Sequence, residues 1–324
     1  MKDFLVPLKK LQDAATIVYQ AMAPTPQYAW PLLKSQFGAD IWVKHENHTP
    51  TGAFKVRGGL LYLHDMTARG NKPAGVISAT RGNHGQSVGY AARQFGIPAS
   101  IVVPHGNSRE KNEAMRALGV ELIEHGEDFQ AARERATWIA QQRGLHMLSS
   151  FHPLLVHGVA SYSLELLRAV PDLDTVYVPI GLGSGICGMI AARAALGHKT
   201  EIVGVVSAQA PAYAMSFEQG RPIDNPATTR IADGMACRTP EPAALEILRH
   251  GMARVVQVSD AEVEDAMRRM FSATHNVAEG AGAAPLAAAW QERDRLAGRK
   301  IAVVLSGGNV DRGVFAKILA GQTA

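Results

Sequence analysis

Short apolar runs alternate along the chain with longer segments of helical period. IWVK (41–44), GVISA (75–79), SIVVP (100–104), VELIE (120–124), TVYVPI (175–180), EIVGVV (201–206), RVVQV (254–258) and KIAVVLS (300–306) predict strands. Several are continuously apolar, the pattern of parallel strands covered on both faces. Between them, HGQSVGYAARQFG (84–96), SREKNEAMRALG (108–119) and DAEVEDAMRRMFSATH (260–275) predict helices. The first two close on a glycine suited to a helix C-terminus, and Ser108 stands where an N-cap belongs. The third carries Asp and Glu in its first turns, where the helix dipole favours them. This β-α alternation predicts an α/β fold with mostly parallel sheets. No internal repeat or low-complexity linker interrupts it, and composition marks no domain boundary.

Three glycine-rich turns follow expected strands: ATRGNHGQS (79–87), PIGLGSGICGMIAARAALG (179–197) and LSGGNVDRG (305–313). Ligands of open α/β sheets bind at the carboxyl ends of strands, so three polar turns there point to one shared ligand. The middle turn leads into a helix, and its glycines allow backbone N–H groups to approach an anion. It lacks the Gly-Lys-Ser/Thr ending of a nucleotide loop and departs from GxGxxG. The alternative is a tight strand–helix turn.

A fourth stretch, TPTGAFKVRGG (49–59), sets Lys55 behind Phe54 and between glycine-bearing segments. A lysine that forms an imine must lose its proton, and burial against an apolar wall lowers its pKa. The alternative is a solvated charge on a helix's first turn.

Composition narrows the classes. With 324 residues, 47% hydrophobic and 19% charged, the chain has the make-up of a globular protein. Its formal charge of +4 is spread without a basic block, which argues against nucleic-acid binding. No uninterrupted apolar run approaches the length of a membrane span. The acidic residues in MKDFLVPLKKLQDAA argue against a signal peptide. The only cysteines, Cys187 and Cys237, show neither CxxC nor metal spacing and are expected to pack in a reducing compartment, the cytoplasm. HENH (45–48) is one residue short of HExxH, and His152 and His157 lack companion ligands, so no metal is expected. They read as core or surface histidines, with His152 a candidate to border a substrate.

The ordered set PTGAFKVRGG, TRGNHGQS, GLGSG, TRIADGMA (229–236), EGAGAAPLAAA (279–289) and SGGN (306–309) resembles the fold-type II pyridoxal-phosphate enzymes. Within them it resembles the serine/threonine dehydratase family. The resemblance implies a tryptophan-synthase-beta-like fold of two open, twisted, mostly parallel sheets flanked by helices. It implies a large cofactor-binding domain over residues 1–67 and 147–324, a small domain over 68–146, and a homodimer. Lys55 would carry pyridoxal 5'-phosphate as a Schiff base, Phe54 would pack beside its ring, and Asn83 would bond its 3′-oxygen. Gly181, Leu182, Gly183, Ser184 and Gly185 would hold the phosphate, with Leu182 and Ser184 replacing two glycines of the family loop. Thr80, Gly82, Asn83 and His84 would bind the substrate carboxylate through backbone amides. Ser306 would face the pyridine nitrogen, with Gly234 and Glu279 near the ring.

A hydroxyl at that nitrogen can donate to a neutral ring. A neutral ring stabilises a long-lived carbanion poorly and favours loss of a β-substituent as the α-proton leaves. Ser306 could alternatively cap the turn that follows it. Three further positions depart from the family. Ala53 replaces a serine. Arg81 stands where racemising members place a serine acid/base; an arginine stays protonated, so little racemisation is expected. It could instead meet a polar or aromatic substrate side chain, or lie on the surface. Val206 replaces the glutamate of metal-activated members and cannot ligate a hard cation.

The implied reaction is dehydration and deamination of a β-hydroxy-α-amino acid. Serine and threonine are the default substrates; Arg81 and Ala53 lend support to phenylserine or 3-hydroxyaspartate. A β-replacement synthase of the cysteine-synthase kind shares the fold. A ligand sensor without turnover is the non-enzyme alternative, against which Lys55, Asn83 and Ser306 argue. The chain stops soon after SGGN, so simple kinetics without a regulatory domain are expected.

Overall fold

The computed structural model describes residues 1–70 and 73–322. Its strands are β1 (Gln27–Ala29), β2 (Asp40–His45), β3 (Val76–Ala79), β4 (Ala99–Val103), β5 (Glu121–Glu124), β6 (His146–Met147), β7 (Thr175–Pro179), β8 (Glu201–Ser207), β9 (Arg254–Val258) and β10 (Lys300–Leu305). They form a six-stranded sheet in the order β1-β2-β10-β7-β8-β9 and a four-stranded sheet in the order β5-β4-β3-β6. Every pairing is parallel except β1 with β2 at one edge. All the strands expected from the apolar runs are present. β1 and β6 are additions to that set: with three and two residues they are too short to show a period.

The continuous apolar runs have the predicted cause. In the larger sheet, Val176, Val178, Ala302 and Val304 face one core, shared with the helices Pro153–Ala169 and Ser184–Leu196. Tyr177, Val203, Val205, Ile301, Val303 and Leu305 face the opposite core, shared with the helices Asp260–Thr274 and Gly280–Gln291. The four-stranded sheet repeats the plan: Val76, Ile101 and Val103 face one layer, and Ile77, Ala79 and Val102 face the helix Phe129–Arg143. The expected helices appear as Asn83–Gln94, Arg109–Ala117 and Asp260–Thr274. Ser108 caps the second, its Oγ accepting from Lys111 N–H at 3.1 Å.

The helix Lys55–Ala68 joins the two sheets. Val56, Leu60 and Leu63 pack in the core of the four-stranded sheet. Its opposite face crosses the helix Pro153–Ala169 with backbones nearly touching: a Cβ on Gly158 would lie 2.4 Å from Arg57 O. Under this crossing Arg57 is fully buried. Its Nε donates to Glu46 at 2.7 Å, and Nη1 to Glu165 at 2.7 Å and Ser161 at 2.9 Å. Lys44, also buried, pairs with Glu165 at 2.5 Å. Lys55 is thereby fixed at the first turn of a helix wedged between the sheets. Among the described residues, no helix is long and apolar enough to cross a membrane.

Candidate active site

The three glycine turns leave the carboxyl ends of β3, β7 and β10, and all meet the Lys55 segment. Ala53 forms an antiparallel bridge with Gly307, and Phe54 N–H donates to Ser306 O at 3.0 Å. Gly308 N–H donates to Gly52 O at 2.9 Å, and Asn309 Nδ2 to Thr51 O at 2.8 Å. The turn after β10 is thus sewn onto the lysine turn. Asn309 Nδ2 also reaches Asn83 Oδ1 at 2.9 Å, and Asn83 Nδ2 donates to Glu279 Oε1 at 2.6 Å. These bonds bring the β3 turn, from the other sheet, into the same cluster.

The turn after β7 forms a cradle. Gly183 has a φ of +102°, which L side chains rarely adopt, and a Cβ there would lie 2.8 Å from Ala244 Cβ. Two buried tyrosines hold the loop by its carbonyls: Tyr213 Oη donates to Leu182 O at 2.9 Å, and Tyr162 Oη to Gly185 O at 3.1 Å. The N–H groups of Leu182, Gly183, Ser184 and Gly185 donate to no acceptor among the described residues. They sit where the helix Ser184–Leu196 begins, an arrangement that favours an anion. Phe54 borders this cradle, its ring within 3.5 Å of where a Cβ on Gly185 would lie. Gly234 O approaches Gly181 to 2.4 Å from a would-be Cβ, so the Asp233–Met235 turn forms a further wall.

Burial drives the Lys55 amine down to about 8, and the Glu279 carboxylate partly opposes the shift. Its Nζ lies 4.9 Å from the Phe54 ring centre. Near pH 8 about half of such amines are neutral, against under about 1% for an ordinary lysine. His84 is buried, and burial together with the Lys55 charge lowers its imidazole to about 3, so it is neutral. Its Nε2 has no hydrogen-bond partner.

Thr80 is buried, and its Oγ1 accepts from Gly82 N–H at 3.0 Å. That bond spends the Gly82 amide, and the Thr80 N–H donates to Val102 O at 3.1 Å, so two of the four amides expected to bind a carboxylate are already used. The N–H groups of Asn83 and His84, at the head of the next helix, donate to no carbonyl among the described residues. Ser306 is 4% exposed, directly after β10. Arg81 is exposed and forms no ion pair among the described residues.

Several residues of the site escape the reading of motifs. Asn309 lies within SGGN, but the motif alone gives it no role of its own. Lys111 Nζ pairs with Asp233 at 2.7 Å and lies 3.5 Å from Glu279. In sequence it looks like one more charge on a polar helix. Tyr162 and Tyr213 give no signal, since nothing local ties them to a loop that arrives from another strand.

Two histidines elsewhere have structural partners. His45 Nε2 accepts from Trp30 Nε1 at 3.0 Å, and burial lowers its imidazole to about 4. His152 Nδ1 caps a helix by accepting from Leu154 N–H at 3.2 Å. Among the described residues, no group of three His, Cys, Asp or Glu side chains is placed to hold a metal ion. Val206 is 1% exposed in β8. Cys187 and Cys237 are buried free thiols.

Comparison with known proteins locates this arrangement. The family described as "Pyridoxal-phosphate dependent enzyme" matches residues 18–307. The L-threonine ammonia-lyase of Thermotoga maritima is 31% identical over 316 residues, covering 97% of this chain and 78% of that protein. Among solved structures, the processed form of threonine deaminase isoform 2 from Solanum lycopersicum superposes with a TM-score of 0.89 at 26% identity, covering 97% of this chain and 93% of that one. Maize serine racemase superposes with a TM-score of 0.88 at 27% identity, covering 98% of each chain.

Proposed function

The chain belongs to the family of pyridoxal-phosphate-dependent enzymes, and on that premise we propose that it dehydrates and deaminates a β-hydroxy-α-amino acid of the serine or threonine type. The products are a 2-oxo acid and ammonia. The residues present fit the cofactor: unspent N–H groups line a tyrosine-braced cradle, and a lysine with a depressed pKa stands beside it. That lysine is the observation that carries the reading.

When bound, pyridoxal phosphate supplies a sink for the electron pair left on the substrate's α-carbon. In this reading Leu182 to Gly185 hold its phosphate by backbone N–H groups, and Phe54 walls its ring. Ser306 donates a hydrogen bond at the pyridine nitrogen, and Asn83 offers its amide to the ring oxygen. The amides heading the helix Asn83–Gln94 take the substrate carboxylate. Lys55 anchors the cofactor; displaced by substrate, its neutral amine accepts the α-proton. As that C–H bond breaks, the Cβ–O bond would break too, and the hydroxyl would leave as water on taking up one proton, balancing the one passed to Lys55. The enamine released would tautomerise and take up water, losing ammonia to give the 2-oxo acid. Two domains, over 1–67 with 147–324 and over 68–146, and a homodimer in the cytoplasm belong to the same reading.

Likeness to a serine racemase raises a second reading. Racemisation needs a proton donor and acceptor on the face opposite Lys55. Position 81 holds an arginine, which does not cycle its proton. The test is a panel of β-hydroxyamino acids of both configurations, read by 2-oxo acid release. Release from serine, threonine or a bulkier homologue supports the proposal; D- and L-serine interconversion at a rate comparable to dehydration contradicts it. Arg81→Ala is expected to change the ranking of substrates by about tenfold or less, with the unfolding midpoint unchanged.

A further inference from the structure

Glu279 sits at the junction of the two sheets' loops with an incomplete set of partners. It is 3% exposed and precedes the helix Gly280–Gln291, and its own N–H donates to Gly307 O at 3.1 Å. Oε1 accepts from Asn83 Nδ2 at 2.6 Å. Oε2 has no hydrogen bond; its nearest charged neighbour is the Lys111 ammonium at 3.5 Å. Lys111 comes from the helix Arg109–Ala117, which packs with the four-stranded sheet. Its side chain is 8% exposed and steered from two directions. Asp233, from the turn Asp233–Met235, holds the ammonium at 2.7 Å, and the aliphatic stem lies so close over Gly82 that a Cβ there would meet Lys111 Cδ at 2.4 Å. The charged groups facing Glu279 are therefore Lys111, Asp233 and Lys55, with the Asn83 amide as its neutral donor.

The charge on Glu279 decides how Asn83 is oriented. An ionised carboxylate only accepts, so it takes the Asn83 Nδ2 side. The amide oxygen is then turned to Asn309 Nδ2, at 2.9 Å, and the second Nδ2 proton remains as a donor. A protonated Glu279 can donate, which permits the amide to turn over and present its oxygen instead. Burial pushes Glu279 above the usual carboxylate range, Lys111 pulls it back, and Asp233 adds to the rise.

We propose that Lys111 is a positioning residue that keeps Glu279 ionised and so holds the Asn83 amide with its N–H side available to the cofactor. It acts through Glu279, and it couples the approach of the helix Arg109–Ala117 to the state of the site. The inference rests on the proposed placement of Asn83 beside the ring oxygen.

The test uses holoenzyme without substrate, so it does not depend on which amino acid is turned over. The cofactor's visible absorbance and circular dichroism are titrated through the acidic and neutral range in the native protein, Lys111→Met, Lys111→Gln, Lys111→Arg and Glu279→Gln. Losing the cation should move the acid-side transition upward by about one to two pH units. Lys111→Arg should keep it near the native position, and Glu279→Gln should remove it. A transition at the native pH in both neutral variants, or a signal reduced equally at every pH, overturns the proposal. If one neutral variant fails to fold, the other decides. Bound cofactor with the predicted shift but no 2-oxo acid from any hydroxyamino acid would sink the functional reading and leave this one standing.

Discussion

Two buried charge clusters flank Lys55, and they are built to opposite rules. Beneath it, Arg57 spends its guanidinium on Glu46, Glu165, Ser161 and Thr25, and Lys44 completes Glu165. All lie within the scaffold that carries the six-stranded sheet. On its other side, Glu279 keeps an oxygen without a hydrogen bond, His84 keeps a bare Nε2, and the pairing cation, Lys111, comes from the helix Arg109–Ala117 beside the other sheet. The first cluster is saturated. The second is unsaturated and spans the two sheets. Buried charges with full partners fix a geometry; buried groups with spare valences are positioned to meet a ligand.

The comparison can be broken by substitution. Lys55→Ala should leave the fold intact and cut turnover by at least about a thousandfold, with loss of the cofactor's visible band. Retained activity would remove the reason for treating the unsaturated side as the site. Arg57→Met should act in the opposite sense: it strands Glu46 and Glu165 in the interior and costs about 3–5 kcal/mol of stability by denaturant unfolding. A cost under about 1 kcal/mol would show the saturated cluster to be dispensable. A smaller effect should appear in the apo-protein's rate of cofactor capture. Only the neutral amine reacts, and burial lowers the folded-state pKa from 10.5 to about 8. The rate should therefore climb with pH and level off above about 8. A climb that continues toward 10.5 would place Lys55 in solvent.

The two clusters also differ in how far the sequence disclosed them. Continuous apolar runs gave the central strands, because a parallel strand between two helical layers must be apolar on both faces. Lys55, Asn83 and Ser306 lie in contiguous motifs, each after an expected strand or between glycines, so local pattern finds them. Lys111, Asp233 and Asn309 act through partners more than a hundred residues away. Nothing in a helical segment such as SREKNEAMRALG tells a lysine drawn into a cleft from one left in water. Arg57 is visible as a letter of the lysine motif, but its burial depends on Glu46 and Glu165 arriving from other elements. Periodicity reports what a residue's neighbours in the chain require; long-range pairing escapes it.

In the proposed function Lys55 is the group that joins protein to cofactor. Borohydride reduction of the holoenzyme, followed by peptide mass mapping, tests this most directly. The expected result is one reduced pyridoxyl-phosphate adduct, on the peptide containing Lys55. An adduct on another lysine, or none at all on a protein that binds the cofactor, would contradict it.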